Sequence, residues 1–419
     1  MKYSIEVLGM NLLLSAYACR PNMGSEPAVG WNWVEELSKY HDLWVLTNYT
    51  NQRDIESYKA NHPEALKNVT FIYVRVNRAF WYKEWKRFER MYYYLWQKKA
   101  LHAARKLTQE INFDFVQHVT YVSCILPSFM YKLGIPFIYG PISGGENIPK
   151  IIQYPMSMKS KLIETVRSLT QLIPVVAPSV QNAFKHAKLI IAVTEETKAL
   201  IPSEYRSKVK VVQAIGLKSE FFEPEPPAKQ NPVCKILCAG RMLYWKGFEL
   251  AVQAAIQALD HEARIELTVL GDGNEEHINK LRTMSGKYLD REIKFVRRVE
   301  YDQMKSFYDQ FDILLNCSLR DSGCLVVIEG MSRGLPVICV DTGGPRVNTN
   351  SSCALKIAPA PYLQLVDQLE QAIHQLVNDE ELRTSLAKAA YLHSKTAFGN
   401  ERKIQELLEY YTLPSVDAM

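Results

Sequence analysis

Short apolar runs alternate along this chain with longer segments of helical periodicity, and that order predicts an α/β protein. Residues 11–16, N-L-L-L-S-A, read as a buried strand. A polar loop follows, C-R-P-N-M-G-S-E-P-A-V-G-W, and ends near a helix rich in Trp and Glu. Residues 114–120, D-F-V-Q-H-V-T, give a further strand pattern. From residue 235, K-I-L-C-A-G predicts a strand and a glycine turn, with an amphipathic helix over 248–259. Residues 313–315 read as another buried strand, 320–324 as a turn of small and polar residues, and 325–333 as a helix closed by Gly334 and Pro336. The alternation runs through residues 11–222 and resumes from 234 to about 390. Between the two series, E-F-F-E-P-E-P-P-A-K-Q-N-P at 220–232 breaks both periods. The expected division is an amino-terminal domain 1–222, a Pro-rich linker 223–232, a second domain 233–395 and a final stretch 396–419.

At 419 residues and 47% hydrophobic, the chain suffices for two cores. A formal charge of only +5 gives no sign of bulk nucleic-acid binding. Eight cysteines without a regular framework fit a reducing cytosol. Cys234 and Cys238, four apart on a strand pattern, suit zinc poorly, and the nine histidines do not cluster with them, so no metal site is expected. No apolar run reaches the roughly 18–20 residues that span a bilayer. The apolar start is wanted as the first strand, Glu6 and a single Lys2 make a poor signal-peptide flank, and Met10 is an alternative natural start. Charge is uneven, however. Between Arg75 and Lys106, basic residues interleave with Phe80, Trp81, Tyr82, Trp85, Phe88, Tyr92, Tyr93, Tyr94 and Trp96. That mixture suits either an amphipathic helix packed on its own domain or a peripheral contact with the anionic inner leaflet of a membrane.

The chemistry gathers at two strand-loop-helix junctions. In the first, Gly240, Arg241, Lys246 and Gly247 follow a strand, which places two cations where open α/β sheets bind ligands. In the second, Asp321 lies in the turn and Glu329 on the helix eight positions later. A helix amino terminus directed at that turn offers N–H groups and a positive dipole end to a diphosphate. Glu329, one turn further in, is placed to accept hydrogen bonds from ribose hydroxyls.

On these motifs the sequence resembles the retaining glycosyltransferases of family 4, which have the GT-B fold: two Rossmann-like, doubly wound domains facing across a cleft. The family's G-R-x-x-x-x-K-G segment, whose Arg and Lys hold the donor diphosphate, matches Gly240, Arg241, Lys246 and Gly247. Its E-x7-E motif matches Asp321 to Glu329, with Asp in place of the first Glu. The resemblance implies that Glu329 binds the nucleotide ribose, that Asp321 contacts the transferred sugar, and that Gly323, Cys324, Leu325 and Val326 line the donor site between them. Where many members read E-G-F-G-L this chain reads D-S-G-C-L, and it lacks the frequent Asn-Gly turn at 214–216. In the amino-terminal half, the resemblance makes Gly24 a donor-side residue and Ser25, Glu26, Gly144 and Gly145 acceptor-side residues. It also sets His118 beneath the transferred sugar. The helical stretch 400–411 is expected to cross back to the first domain.

The implied reaction is transfer of a hexosyl-type group from a nucleoside diphosphate sugar to an acceptor hydroxyl with retention, in assembly of a cell-surface polysaccharide or glycolipid. Catalytic roles fall to Asp321, His118, Arg241 and Lys246. No cofactor and no metal are expected, since no D-x-D segment is present and the family generally works without an ion. The partners expected are the donor, a glycan or lipid-linked acceptor and an anionic inner-leaflet surface, with the protein cytoplasmic or peripheral. Base contacts are expected near 271–273 and 297–301. The alternatives are a GT-B nucleotide-sugar epimerase and a GT-B partner protein without catalytic activity.

Overall fold

The computed structural model describes residues 9–76, 89–213, 216–226, 229, 231–399, 402 and 408. It divides into two compact units, one made of 1–145, 167–215 and 404–419, the other of 146–166 and 216–403.

The first unit is built on a parallel sheet of seven strands: β1 (Asn11–Ala16), β2 (Asp42–Asn48), β3 (Val69–Val74), β4 (Phe115–Thr120), β5 (Phe137–Ile142), β6 (Ala187–Ala192) and β7 (Val209–Val211). Their spatial order is β3-β2-β1-β4-β5-β6-β7. Strands buried on both faces need no polar alternation, which is why β1 reads as a plain apolar run. Its side chains still alternate in destination. Leu13 joins the core containing Trp96 and Phe184, while Leu12 and Leu14 join Trp31 and Ile191 on the opposite face.

The second unit has six parallel strands: β8 (Cys234–Ala239), β9 (Ile265–Leu270), β10 (Ile293–Val296), β11 (Ile313–Asn316), β12 (Val337–Val340) and β13 (Ala354–Ile357), in the order β10-β9-β8-β11-β12-β13. In each sheet the unit's first strand lies between its second and fourth. Loops leaving the two central strands therefore diverge at their carboxyl ends, and a crevice opens at that switch point.

Local signals set the elements much as the sequence predicts. The helix Leu325–Ser332 stops where Gly334 takes φ +68, the Leu335 N–H bonds the Gly330 carbonyl at 3.0 Å, and the Gly334 N–H bonds that of Met331 at 2.9 Å. These two bonds form a Schellman stop, and Pro336 follows it. The helix Phe248–Asp260 runs one residue past its expected end.

One expectation changes. Residues 146–166 and 216–222 group with the second sheet and not with the first. Of the two readings of the aromatic-basic stretch, its described part, the helix Glu89–Leu107, fits the packed one. Tyr92, Tyr93 and Trp96 are buried with Ala100 and Ala104, a core-facing stripe and not a membrane face. Residues 77–88 of that stretch lie outside the described residues, as does most of 400–411, although Leu408 is buried in the amino-terminal core.

A buried carboxylate ties segment 146–166 to the second unit. Glu249, on the helix Phe248–Asp260, accepts hydrogen bonds from the Tyr154 hydroxyl and from His277 Nε2 at 3.1 Å, and Lys280 Nζ lies 3.3 Å away. Burial alone would raise this carboxyl, but His277 and Tyr154 outweigh it and hold it near 2. Its contribution is thus complete at neutral pH and is lost as pH falls from the ordinary carboxyl range toward 2. Replacing Glu249 by Ala strands both partners, so the variant should destabilise the second unit by about 3 kcal/mol. Urea unfolding at pH 7 measures this, and an unchanged midpoint would refute the role.

Candidate functional site

The central strands of the second unit deliver both chemical motifs to one place. Beyond β8 the chain turns at Gly240, exposes Arg241 and makes a short 3-10 turn over Tyr244–Lys246. Gly247 then starts the helix Phe248–Asp260 with φ +68, and a Cβ there would lie 2.1 Å from the Cys317 carbonyl oxygen. Only glycine allows both this left-handed turn and this approach. The loop after β8 is thereby pressed onto the backbone just past β11, and Lys246 Nζ forms an ion pair with Asp321 Oδ2.

The Asp321 loop is held from several sides. Its carbonyl accepts the Gly344 N–H at 2.7 Å, and its Oδ1 accepts a long bond from the Cys324 N–H at 3.4 Å. Asn348 donates to the carbonyls of Gly323 and Cys324 at 2.9 and 3.3 Å, and Asn316 donates to the Cys324 sulfur at 3.4 Å. This grip keeps Cys324 at φ +42, a left-handed conformation that costs a non-glycine residue about 1–2 kcal/mol. Cys324 caps the helix Leu325–Ser332, so Leu325 and Val326 lie in its first turn with Asp321 just ahead. Burial would lower the Lys246 ammonium, but the Asp321 carboxylate outweighs it and holds the ammonium above the ordinary lysine range. The Arg241 guanidinium makes no hydrogen bond or ion pair with the described residues, while its carbonyl accepts the Leu243 N–H at 2.8 Å.

Glu329 sits one turn into that helix, buried and not solvated. Its Oε2 accepts the Tyr308 hydroxyl at 2.7 Å. Burial pushes its carboxyl up to about 6, with the Tyr308 bond opposing part of the rise. Tyr308, Asn316 and Asn348 escape sequence reading because their roles depend on long-range contacts. A weak signal was available for Gly343 and Gly344, where T-G-G-P follows β12. Gly343 takes φ +44 against the Asp321 carbonyl, and the buried Glu146 packs beside it. In the region expected to contact a base, Arg297 is exposed and paired with Asp272 at 3.2 Å and with Glu275.

In the first unit, the chain after β1 brings Gly24 and Glu26 to the end of β4. Gly24 precedes the helix Ser25–Leu37 at φ −91, and a Cβ there would meet nothing within 4 Å. Neither conformation nor packing requires glycine at this position. Glu26 Oε1 accepts the Val122 N–H, and burial lifts its carboxyl to about 7, with the Val122 bond opposing and Glu89 adding to the rise. His118 Nε2 lies 3.0 Å from the Tyr121 carbonyl, while its Nδ1 is buried without a hydrogen-bond partner. Burial drops this imidazole to about 4, against the smaller effect of the Tyr121 bond, so it is neutral at pH 7. Gly144 and Gly145 have structural reasons of their own. A Cβ at Gly145 would lie 2.2 Å from the Glu196 carbonyl, and the Gly144 carbonyl accepts from Arg167 and Gln171.

One cluster of metal-ligand type occurs among the described residues: His261, Glu370 and His374, with ligand atoms within 4.8 Å of one another. His261 precedes β9, so the cluster is at the opposite end of the sheet from Arg241 and Asp321. Glu370 Oε1 lies 2.9 Å from His261 Nδ1 and 3.2 Å from His374 Nε2.

A carboxyl raised on folding stabilises the protein below its unfolded pKa and loses that contribution as pH rises through the folded value. For Glu329 the window runs from about 4.5 to about 6, worth on the order of 2 kcal/mol. The Glu329→Gln variant should therefore gain about that much stability relative to the parent between pH 4.5 and 7. Parallel urea titrations at the two pH values decide it, and a constant difference would show that Glu329 does not titrate in this window.

The chain is similar to several known proteins. The phosphatidylinositol N-acetylglucosaminyltransferase gpi3 protein of Schizosaccharomyces pombe is 27% identical over 130 residues, covering 31% of this chain and 28% of that protein. D-inositol 3-phosphate glycosyltransferase of Corynebacterium diphtheriae is 24% identical over 226 residues, covering 49% of this chain and 51% of that enzyme. The chain thus spans no more than about half the length of either relative. Among solved structures, sucrose-phosphate synthase from Thermosynechococcus elongatus superimposes with a TM-score of 0.65 at 14% identity, over 96% of this chain and 98% of that one. HepE of Anabaena in complex with UDP gives 0.63 at 14%, with the same coverage. Likeness at such identity establishes the fold, which is GT-B, with two Rossmann-like units of seven and six parallel strands. Residues 219–393, which carry Arg241, Lys246, Asp321 and Glu329, match the family model of glycosyl transferases group 1.

Proposed function

We propose that this chain is a retaining glycosyltransferase that moves a hexosyl group from a nucleoside diphosphate sugar to an acceptor hydroxyl without a metal ion. The observation that carries the reading is the convergence of exposed Arg241, the Lys246–Asp321 pair and a helix amino terminus at the β8/β11 switch point. Such a site is suited to a diphosphate, because cations and N–H groups face an anion whose charge grows as the glycosidic bond breaks. HepE, a structural neighbour, was solved with UDP, which favours a UDP-sugar here.

In this reading the bond from the anomeric carbon to the diphosphate oxygen breaks with its electron pair going to the diphosphate. The acceptor oxygen attacks from the same face, and its proton passes to the departing phosphate. Arg241 and Lys246 hold that phosphate. Asp321, oriented by Lys246 and by the Cys324 N–H, positions the sugar. Glu329 accepts hydrogen bonds from the ribose hydroxyls, and Gly323 to Val326 line the donor. In the first unit Gly24 leaves room for the donor and neutral His118 lies beneath the sugar, while Ser25, Glu26, Gly144 and Gly145 serve the acceptor. The acceptor is a glycan or lipid-linked hydroxyl in polysaccharide or glycolipid assembly.

Calorimetric titration with UDP, GDP and ADP in a chelator tests the site. One nucleotide should bind selectively, and Arg241→Ala should weaken it roughly 10- to 100-fold, the worth of one charge-assisted contact of about 1.5–3 kcal/mol. No binding of any nucleotide, or none without added metal, would overturn the reading. Labelled donor then separates the reactions: transfer needs the acceptor, whereas an epimerase converts donor alone. An Asp321→Ala protein that keeps its cellular role would point to a partner protein without catalytic activity.

A further inference from the structure

The helix Met158–Thr170 is inverted relative to an ordinary surface helix, whose apolar stripe faces the core. Met158, Leu162, Val166 and Leu169, spaced by four, four and three residues, form one stripe, and they are 80, 65, 52 and 62% exposed. Leu172 and Val176 extend it beyond the helix end. No residue of the helix is buried. The polar face is the one anchored to the protein. Glu164 binds the Tyr244 hydroxyl and the Arg320 guanidinium, and Arg167 donates to the Gly144 carbonyl at 3.1 Å. Gln171, one turn on, donates to the same carbonyl at 3.0 Å. Of the thirteen exposed large apolar side chains among the described residues, nine lie between positions 151 and 176. A patch this concentrated marks an interaction surface, whereas scattered exposed apolar residues need no explanation.

The charges on the helix indicate what covers it. Lys159 and Lys161 flank the stripe and are exposed, and Lys150 is exposed just upstream. Glu164 is the helix's one acidic residue, and it is engaged by Arg320 on the opposite face. The outward face is therefore apolar with a cationic margin. That combination enters the headgroup–acyl boundary of an anionic bilayer, with lysine stems lying along the apolar surface and ammonium groups among the headgroups. Thirteen residues give a helix about 20 Å long, which lies in the interface and does not cross it. No helix among the described residues is long and apolar enough to span a membrane.

We propose that the face formed by Met158, Leu162, Val166 and Leu169, with Lys159 and Lys161, docks the protein onto an anionic lipid bilayer. The docking does not depend on which reaction the protein performs. Flotation of the full chain with phosphatidylglycerol–phosphatidylcholine vesicles, against phosphatidylcholine alone, tests it. The parent should float with the anionic vesicles and at least tenfold less with the neutral ones. Leu162→Glu combined with Leu169→Glu should lose at least tenfold in binding with thermal unfolding unchanged, because both positions are exposed. Lys159→Glu combined with Lys161→Glu should weaken binding to the anionic vesicles and flatten its salt dependence. Failure of the parent to float, or equal flotation of the leucine variant, overturns the proposal. So does a concentration-dependent dimer in light scattering that the leucine variant abolishes, since a second copy of the chain would then own the face.

Discussion

The ion pair between Lys246 and Asp321 is the contact on which the geometry of the candidate site depends. Removing two charges from water is unfavourable unless they meet in good geometry with their remaining valences satisfied. Here the meeting is arranged by backbone. Gly247 lets the loop after β8 press on Cys317, and Gly344 and Cys324 donate N–H groups to the Asp321 carbonyl and carboxylate. The pair is therefore the result of a rigid frame that fixes both of its members. A diphosphate arriving beside Lys246 would share a cation that is already desolvated and oriented, so little reorganisation remains for the moment of binding.

The same frame holds D-S-G-C-L in place where E-G-F-G-L is frequent in the family this chain resembles. A shorter carboxylate reaches less far, but its loop is clamped by Asn348 and Asn316, and its partner Lys246 comes from the neighbouring central strand. Cys324 carries a backbone strain that glycine would not. Its sulfur and carbonyl both take hydrogen bonds from asparagines, which offsets part of that cost.

Legibility in the sequence follows the range of the interaction. The strand at 11–16, the Gly334 stop and the positions of Arg241, Lys246, Asp321 and Glu329 all rest on local patterns: an apolar run, a glycine turn, a helix period. Those were readable. The division of the chain was not, because Tyr154 meets Glu249 across 95 positions and Glu164 meets Arg320 across 156, and no periodicity records such pairs. The aromatic-basic stretch left two readings open for a related reason. Its aromatic residues at 92, 93 and 96 look alike whether they face lipid or a core, and only the sheet beneath them decides. The stripe at 158–169 is subtler still, since its amphipathic spacing predicts burial and the structure turns it outward.

Glu329 is unfavourable for the fold in a way that the proposed ribose contact would account for. At neutral pH its carboxyl is ionised although burial has pushed it up to about 6, and the Tyr308 hydroxyl is its one hydrogen-bond donor among the described residues. An ionised oxygen left with open valences in a low dielectric costs stability, on the order of 2 kcal/mol here. The environment would suit a neutral side chain better. A vicinal diol would supply the missing donors, and hydrogen bonds to a charged, desolvated acceptor are stronger than those to a neutral one. If the proposed ribose contact is made, the energy withheld from folding at this position would be recovered on binding, and the raised carboxyl would be a feature of recognition and not a defect of the core.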